Sequence, residues 1–117
     1  MNYEVYLTHT FQKCLKILKK KFRRIKDDIV DIIRRLESDA PLGDPVPGWD
    51  REIWKVRAAS SDIKKGKSGA FRIIYLFKEN DCKVYLLTIY FKGDKEGIGS
   101  DEIEKLLKKL CDELEAL

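Results

Sequence analysis

The chain has 117 residues, of which 44% are hydrophobic and 38% charged, with a formal net charge of +4. That length fits a single domain, 1–117, whose small size leaves no room for both a deep substrate cavity and a packed interior, so a site is expected on an open face. No apolar run approaches the roughly 20 residues that span a bilayer, and residues 1–13 lack the apolar stretch of a signal peptide; these features argue against a membrane or secreted protein and predict a cytoplasmic one.

Residues 3–8 alternate, with Tyr3, Val5 and Leu7 set against Glu4 and Tyr6, and predict a first strand. Thr8 is placed to cap the helix expected after it. Phe11, Leu15, Leu18 and Phe22 recur at spacings of four, three and four, which is one stripe of an amphipathic helix. Ile25, Ile29, Ile32, Ile33 and Leu36 form a second stripe after little connection, so the two predict a helical hairpin. Residues 39–50 hold all three prolines and two glycines; proline removes a donor and fixes φ, so the segment reads as a loop rather than a strand.

Three strands are expected at 53–59, 70–78 and 83–92, with Glu79-Asn80-Asp81 as the turn between the last two. Residues 60–69 read as a loop rich in glycine and lysine. Ser100 is the expected cap of a closing helix, Asp101 and Glu102 favour its dipole, and Ile103, Leu107, Leu110, Leu114 and Leu117 form its stripe. That stripe fits a cover for the protein's own sheet and a docking face equally. The order β-α-α-β-β-β-α predicts an α+β fold: a twisted antiparallel sheet packed on an N-terminal helical hairpin, with helices on one face.

Charge is distributed unevenly along the chain. Seven cations and no acid lie between Lys13 and Arg24, and eight cations against two acids between Arg51 and Lys78. The last 25 residues reverse the balance, with eight acids against four lysines. Such asymmetry points to a polyanionic partner at the basic faces, with a simply solvated helix face as the competing reading of the first run. Cys14, Cys82 and Cys111 are widely spaced and form no CxxC pair, and His9 is the single histidine, so no metal site is expected and the thiols read as reduced, with Cys14 and Cys111 packed on helices. No P-loop, serine elbow or His–Cys pair is present. His9, at a strand–helix junction, reads as structural.

What remains is chemistry by cations. Period two places Lys55 and Arg57 opposite Trp54, Val56 and Ala58. It places Arg72 with Ile74 and Leu76, away from Phe71, Ile73, Tyr75 and Phe77, and it places Tyr90 and Lys92 with Leu86 and Thr88. If 71–77 and 85–91 pack their aromatic faces on the hairpin, then Arg72, Tyr90 and Lys92 emerge beside Lys55 and Arg57. Arginine matches phosphate oxygens and stabilises a five-coordinate phosphoryl state. A lysine among other cations loses its proton more readily and can act as a base, and a tyrosine ring can stack on an unpaired base. Together these permit RNA cleavage through the ribose 2′-hydroxyl with no cofactor. Edge protection is the competing reading of strand cations.

Three segments taken in order carry a resemblance. Ile53-Trp54-Lys55-Val56-Arg57, then Gly66-Lys67-Ser68-Gly69-Ala70-Phe71-Arg72-Ile73-Ile74-Tyr75, then Tyr85-Leu86-Leu87-Thr88-Ile89-Tyr90-Phe91-Lys92 resemble the K-x-R, G-K-x-G-G-x-R-x-I-Y and Y-L-L-T-x-Y-x-K strands of RelE/HigB toxins of type II toxin–antitoxin systems. The match covers roughly residues 53–110. It implies the RelE-like fold, ribosome-dependent cleavage of messenger RNA with ribosomal RNA contacts, and neutralisation by a cognate antitoxin. By position it implies Arg72 for phosphate stabilisation, Lys55 and then Lys92 for proton removal, Arg57 in the same cluster, and Tyr90 for base stacking or leaving-group contact. Lys67, Lys65 and Lys64 are the implied RNA-binding residues. Ser68 and Ala70 depart from the family's GKRGG and remove one potential phosphate-binding arginine, which either weakens cleavage or leaves that load to Lys67. The same superfamily fold also carries ParE-like gyrase inhibitors, and a catalytically inactive toxin-fold binding domain is the other alternative.

Overall fold

The computed structural model describes residues 2–63 and 70–117. In chain order the elements are β1 (Glu4–Leu7), α1 (His9–Lys19), α2 (Ile25–Asp39), β2 (Asp44–Pro45), β3 (Ile53–Ala58), β4 (Phe71–Lys78), β5 (Lys83–Phe91) and α3 (Ser100–Glu115), with a 3-10 turn at Glu79–Asp81 between β4 and β5. Thr8 caps α1 as its spacing predicts, its hydroxyl accepting the Phe11 N–H at 3.2 Å. Gly99, not Ser100, takes the cap position of α3, and no side chain caps it.

The sheet runs β1-β5-β4-β3-β2. Three of its pairings are antiparallel, but β1 lies parallel to β5, which corrects the all-antiparallel expectation. Parallel neighbours need a long crossover rather than a tight turn, and here helices and strands intervene between them. The proline-rich segment, expected as loop throughout, lends two residues to the sheet: Asp44 pairs with Lys55 and Pro45 with Trp54. Pro45 is tolerated because an edge strand does not need its missing N–H.

Helices cover both faces of the sheet, not one. On the hairpin side, Phe11, Leu15, Phe22, Ile25, Ile29, Ile32 and Leu36 pack against Trp54, Val56, Phe71, Ile73, Tyr75, Val84 and Leu86. On the other side Ile103, Leu106 and Leu110 of α3 rest on Ile53, Ile74, Leu87 and Tyr90. The closing helix therefore covers its own sheet. Its seam uses Leu106, which the heptad reading missed, while Leu117 lies beyond the helix and is 86% exposed. Cys14 is half-buried against the hairpin core, whereas Cys111 faces outward instead of packing.

Strict alternation along β5 also fails at one point. Ile74 pairs with Thr88 but Tyr75 pairs with Leu86, so Leu87 is an extra residue. An inserted residue reverses the phase of the strand. Val84 and Leu86 consequently face the hairpin while Tyr85, Leu87 and Tyr90 face α3, so Leu86 does not share the face of Tyr90 and Tyr85 does not pack on the hairpin. The bulge lets both halves of β5 bury large side chains and still leaves Tyr90 on the α3 side.

A cationic cleft as candidate active site

The antiparallel ladder fixes what sequence alone left open. Arg57 is the cross-strand partner of Arg72, and Arg72 that of Tyr90, so the three form one row across β3, β4 and β5. Directly opposed residues stand roughly 5 Å apart at Cβ, and like charges in that relation are destabilising. Lys55 lies two residues before Arg57 on the same face, paired with Ile74. Lys92 follows β5, anchored where its N–H donates to the Ala70 carbonyl at 2.9 Å.

Lys55, Arg57, Arg72 and Lys92 line one open cleft of about 390 Å³. Arg35, Leu42, Gly43, Asp44, Val56 and Glu96 complete its wall. Lys55, Arg57 and Lys92 are exposed, while Arg72 forms the floor at 6% exposure, its Nη1 donating to the Phe71 carbonyl at 3.2 Å. Buried arginine is held in place by its surroundings, which suits a group that must meet an anion in fixed geometry. Five cations against Asp44 and Glu96 give the cleft a net positive lining.

Tyr90 does not join that lining. It is buried beside Arg72 in the cluster under α3, with Lys95 Nζ 5.7 Å from the centre of its ring. A ring covered in this way offers no free face for a nucleobase, so the stacking role expected for it is not supported by its position. Burial raises the pKa of its hydroxyl, against the pull of Arg72 and Lys95, and Glu102 adds to the rise. Lys64, Lys65 and Lys67 lie outside the described residues.

Several site residues gave no motif to read. Gly43 has φ +87°, and a Cβ there would stand 2.1 Å from the Lys55 carbonyl oxygen, so only glycine lets this segment lie against β3 beside Lys55. Tyr75 holds the same segment from below: its hydroxyl accepts the Leu42 N–H at 2.7 Å and donates to the Leu42 carbonyl. Burial drives the Tyr75 pKa well above the ordinary tyrosine range, despite the opposing Leu42 bond, so the phenol stays protonated and can keep donating. The loop character of residues 39–50 is legible in the sequence; the contact of Gly43 with β3 is not.

The segment beyond β3 is tied to α2. The Ser61 N–H and hydroxyl both donate to Asp28, at 3.0 and 2.8 Å, and Asp62 accepts the Arg24 N–H at 2.9 Å. His9 stands at the β1 edge with its backbone N–H on Glu113 at 3.0 Å, far along the sheet order from β3. A larger cavity of about 620 Å³ lies at the other end of β3 and β4, but Asp50, Glu52, Glu79 and Asp81 outnumber Arg51 and Lys78 in it. Among the described residues no group of three or more His, Cys, Asp or Glu side chains is placed to hold a metal, and no helix is long and apolar enough to cross a membrane.

No family model matches the sequence. The fold, however, has clear likenesses among solved structures. A mutant of the Escherichia coli toxin RelE in the free state matches with TM-score 0.54 at 16% identity, over 82% of this chain and 90% of that one. The isolated E. coli RelE toxin matches with TM-score 0.52 at 13% identity, over 92% and 98%. A conserved hypothetical protein of Helicobacter pylori matches with TM-score 0.55 at 18% identity, over 79% and 97%. The chain has the RelE-type toxin fold.

Proposed function

We propose that this protein is the toxin of a type II toxin–antitoxin pair, an endoribonuclease that cuts messenger RNA on the ribosome and is neutralised by a cognate antitoxin in the cytoplasm. The observation that supports this most is the in-register pair Arg57 and Arg72 beside Lys55 and Lys92 in one cleft. Two guanidiniums on adjacent strands can take the oxygens of one RNA phosphate between them.

In this reading Arg72 and Arg57 hold the non-bridging oxygens of the scissile phosphate. Lys55 takes the proton of the ribose 2′-hydroxyl, whose oxygen attacks phosphorus, and the O5′ leaving group departs with a proton supplied from Lys92 or solvent. The added negative charge of the five-coordinate state falls on the two arginines, where fixed donors stabilise it most. Neither a metal nor a cofactor enters these steps. Lys64, Lys65 and Lys67 are proposed to contact the RNA backbone.

Primer extension on messenger RNA in a translating extract tests the reading. New 5′ ends are expected with the wild-type protein and none with Arg72→Ala, with Arg72→Lys giving partial activity if charge at that point is what matters. An absence of new ends with wild-type protein, accompanied by loss of gyrase supercoiling, would move the assignment to gyrase inhibition. Growth arrest that survives Arg72→Ala would move it to a binding role.

A further inference from the structure

Behind the cleft, three groups meet that the cleavage reading does not use. Both carboxylate oxygens of Glu102, in the first turn of α3, receive Lys95 Nζ, at 2.6 and 2.8 Å. The same ammonium lies over the ring of Tyr90. Tyr90 is only 8% exposed, and among the described residues its buried hydroxyl has no hydrogen-bond partner. A buried hydroxyl left without a partner is costly, and native structures keep few of them without a functional reason. Next to Tyr90 in the sheet stands Arg72, the floor of the cationic cleft.

A carboxylate held in a bidentate grip by an ammonium, beside an unsatisfied hydroxyl and an arginine, is the arrangement that a phosphate group satisfies better. A phosphodiester carries its two anionic oxygens on a tetrahedral centre, so one can accept from the ammonium while the other accepts from the hydroxyl. The Lys95–Glu102 pair is 39% and 45% exposed, and a pair so open to solvent is held weakly and exchanges readily.

We propose that Lys95 and Tyr90 form a second phosphate subsite adjoining Arg72, for a phosphodiester neighbouring the scissile one, and that Glu102 occupies it as an internal anion until RNA displaces it. The ligand's identity rests on the RNA-cleavage reading; the anion-binding chemistry does not. Binding breaks no covalent bond: the phosphate takes the Lys95 contact from Glu102, and the Tyr90 hydroxyl donates to a phosphate oxygen.

The test measures binding by the full chain, without ribosomes and without cleavage. The probes are a 2′-O-methyl hexaribonucleotide, which cannot be cut, followed by anisotropy, and inorganic phosphate followed by the NMR signal of the Lys95 ammonium. Glu102→Gln is expected to tighten hexanucleotide binding about fivefold and to steepen the dependence on log salt by about 0.7, one single-strand phosphate contact. Asp101→Asn makes the same change in net charge one residue away and is expected to give no such gain. Adding Lys95→Met or Tyr90→Phe to Glu102→Gln should abolish it. Gain with both probes supports a subsite for phosphate in general, and gain with the hexanucleotide alone supports one aligned by the neighbouring nucleotides. Equal gains from Glu102→Gln and Asp101→Asn, or no gain with either probe, would overturn the subsite. Either result leaves the cleavage reading standing, since that is decided by new 5′ ends in the presence of ribosomes.

Discussion

On its hairpin side the sheet is tightly filled, with Phe71, Ile73 and Tyr75 fully buried against Phe11, Ile25 and Leu36. On its other side the same strands divide their length: one end lies under Ile103, Leu106 and Leu110, and the other carries Lys55, Arg57 and Arg72 into an open cleft. The contrast shows where stability is generated. The opposed arginines stand on the open side, and among the described residues the packed cluster on the hairpin side holds no charged side chain.

The largest expected effect probes that division directly. Phe71→Ala removes a fully buried ring from the hairpin core and should cost about 3–5 kcal/mol in urea unfolding. Leu110→Ala, under α3, should cost nearer ~2 kcal/mol, because the smaller apolar cluster there can relax toward solvent. Equal losses at the two sites would break the comparison and make α3 as much a part of the core as the hairpin.

Next in size is the loss of chemistry without loss of structure. On the proposed reading, in which Lys55 is the general base, Lys55→Met should slow single-turnover cleavage of ribosome-bound messenger RNA by about 10²–10⁴-fold. Lys92→Met should slow it less. Both residues are exposed, so the unfolding free energy should change by no more than about 0.5 kcal/mol. A Lys92 effect larger than that of Lys55 would exchange their roles; a large drop in stability with either would mean the cationic face is structural after all.

Tyr75→Phe tests the link between the faces. It keeps the packed ring but takes away the partner of both the N–H and the carbonyl of Leu42. The expected cost is about 1–3 kcal/mol, with cleavage reduced as well because residues 42–44 wall the cleft. Cleavage unaffected by this change would show that the wall does not position Lys55.

The elements most readable in advance were those whose signal is local. Helical stripes, the Thr8 cap and the alternation on β3 and β4 follow from spacing alone, because each reports one face of one element. The faces of Lys55, Arg57 and Arg72 were readable for the same reason. Three features depended on contacts distant in sequence. The parallel placing of β1 against β5 depends on the path of the hairpin, and the bulge at Leu87 depends on which residues β4 presents opposite. The burial of Tyr90 depends on α3 and Lys95, neither of which its own strand pattern reports. Glu96 and Arg35 reached the cleft unannounced, since solvent-exposed polar residues carry no periodicity to mark where a cleft will form.

The smallest effect concerns how α3 is fastened at its far end, away from the cleft. The Glu113 side chain is only 8% exposed, and its desolvation by itself raises the pKa. That effect is outweighed: the Tyr6 hydroxyl and the His9 backbone N–H both donate to the carboxylate, the His9 ring adds its charge, and the net pKa falls below the ordinary 4.5. The same hydrogen bond, with burial, raises the pKa of Tyr6, so the phenol stays a donor throughout the acid range. A folded-state pKa below the unfolded one means the native state binds its proton less readily. The stabilisation is therefore fully present above the unfolded value, and it is lost as pH falls through the folded one. Glu113→Gln should lower the unfolding free energy slightly at pH 7. The gap to wild type should close as the pH drops below the ordinary carboxylate range. Urea unfolding of both proteins across that range provides the check; two curves that stay parallel into acid would mean that Glu113 fastens α3 by shape and not by charge.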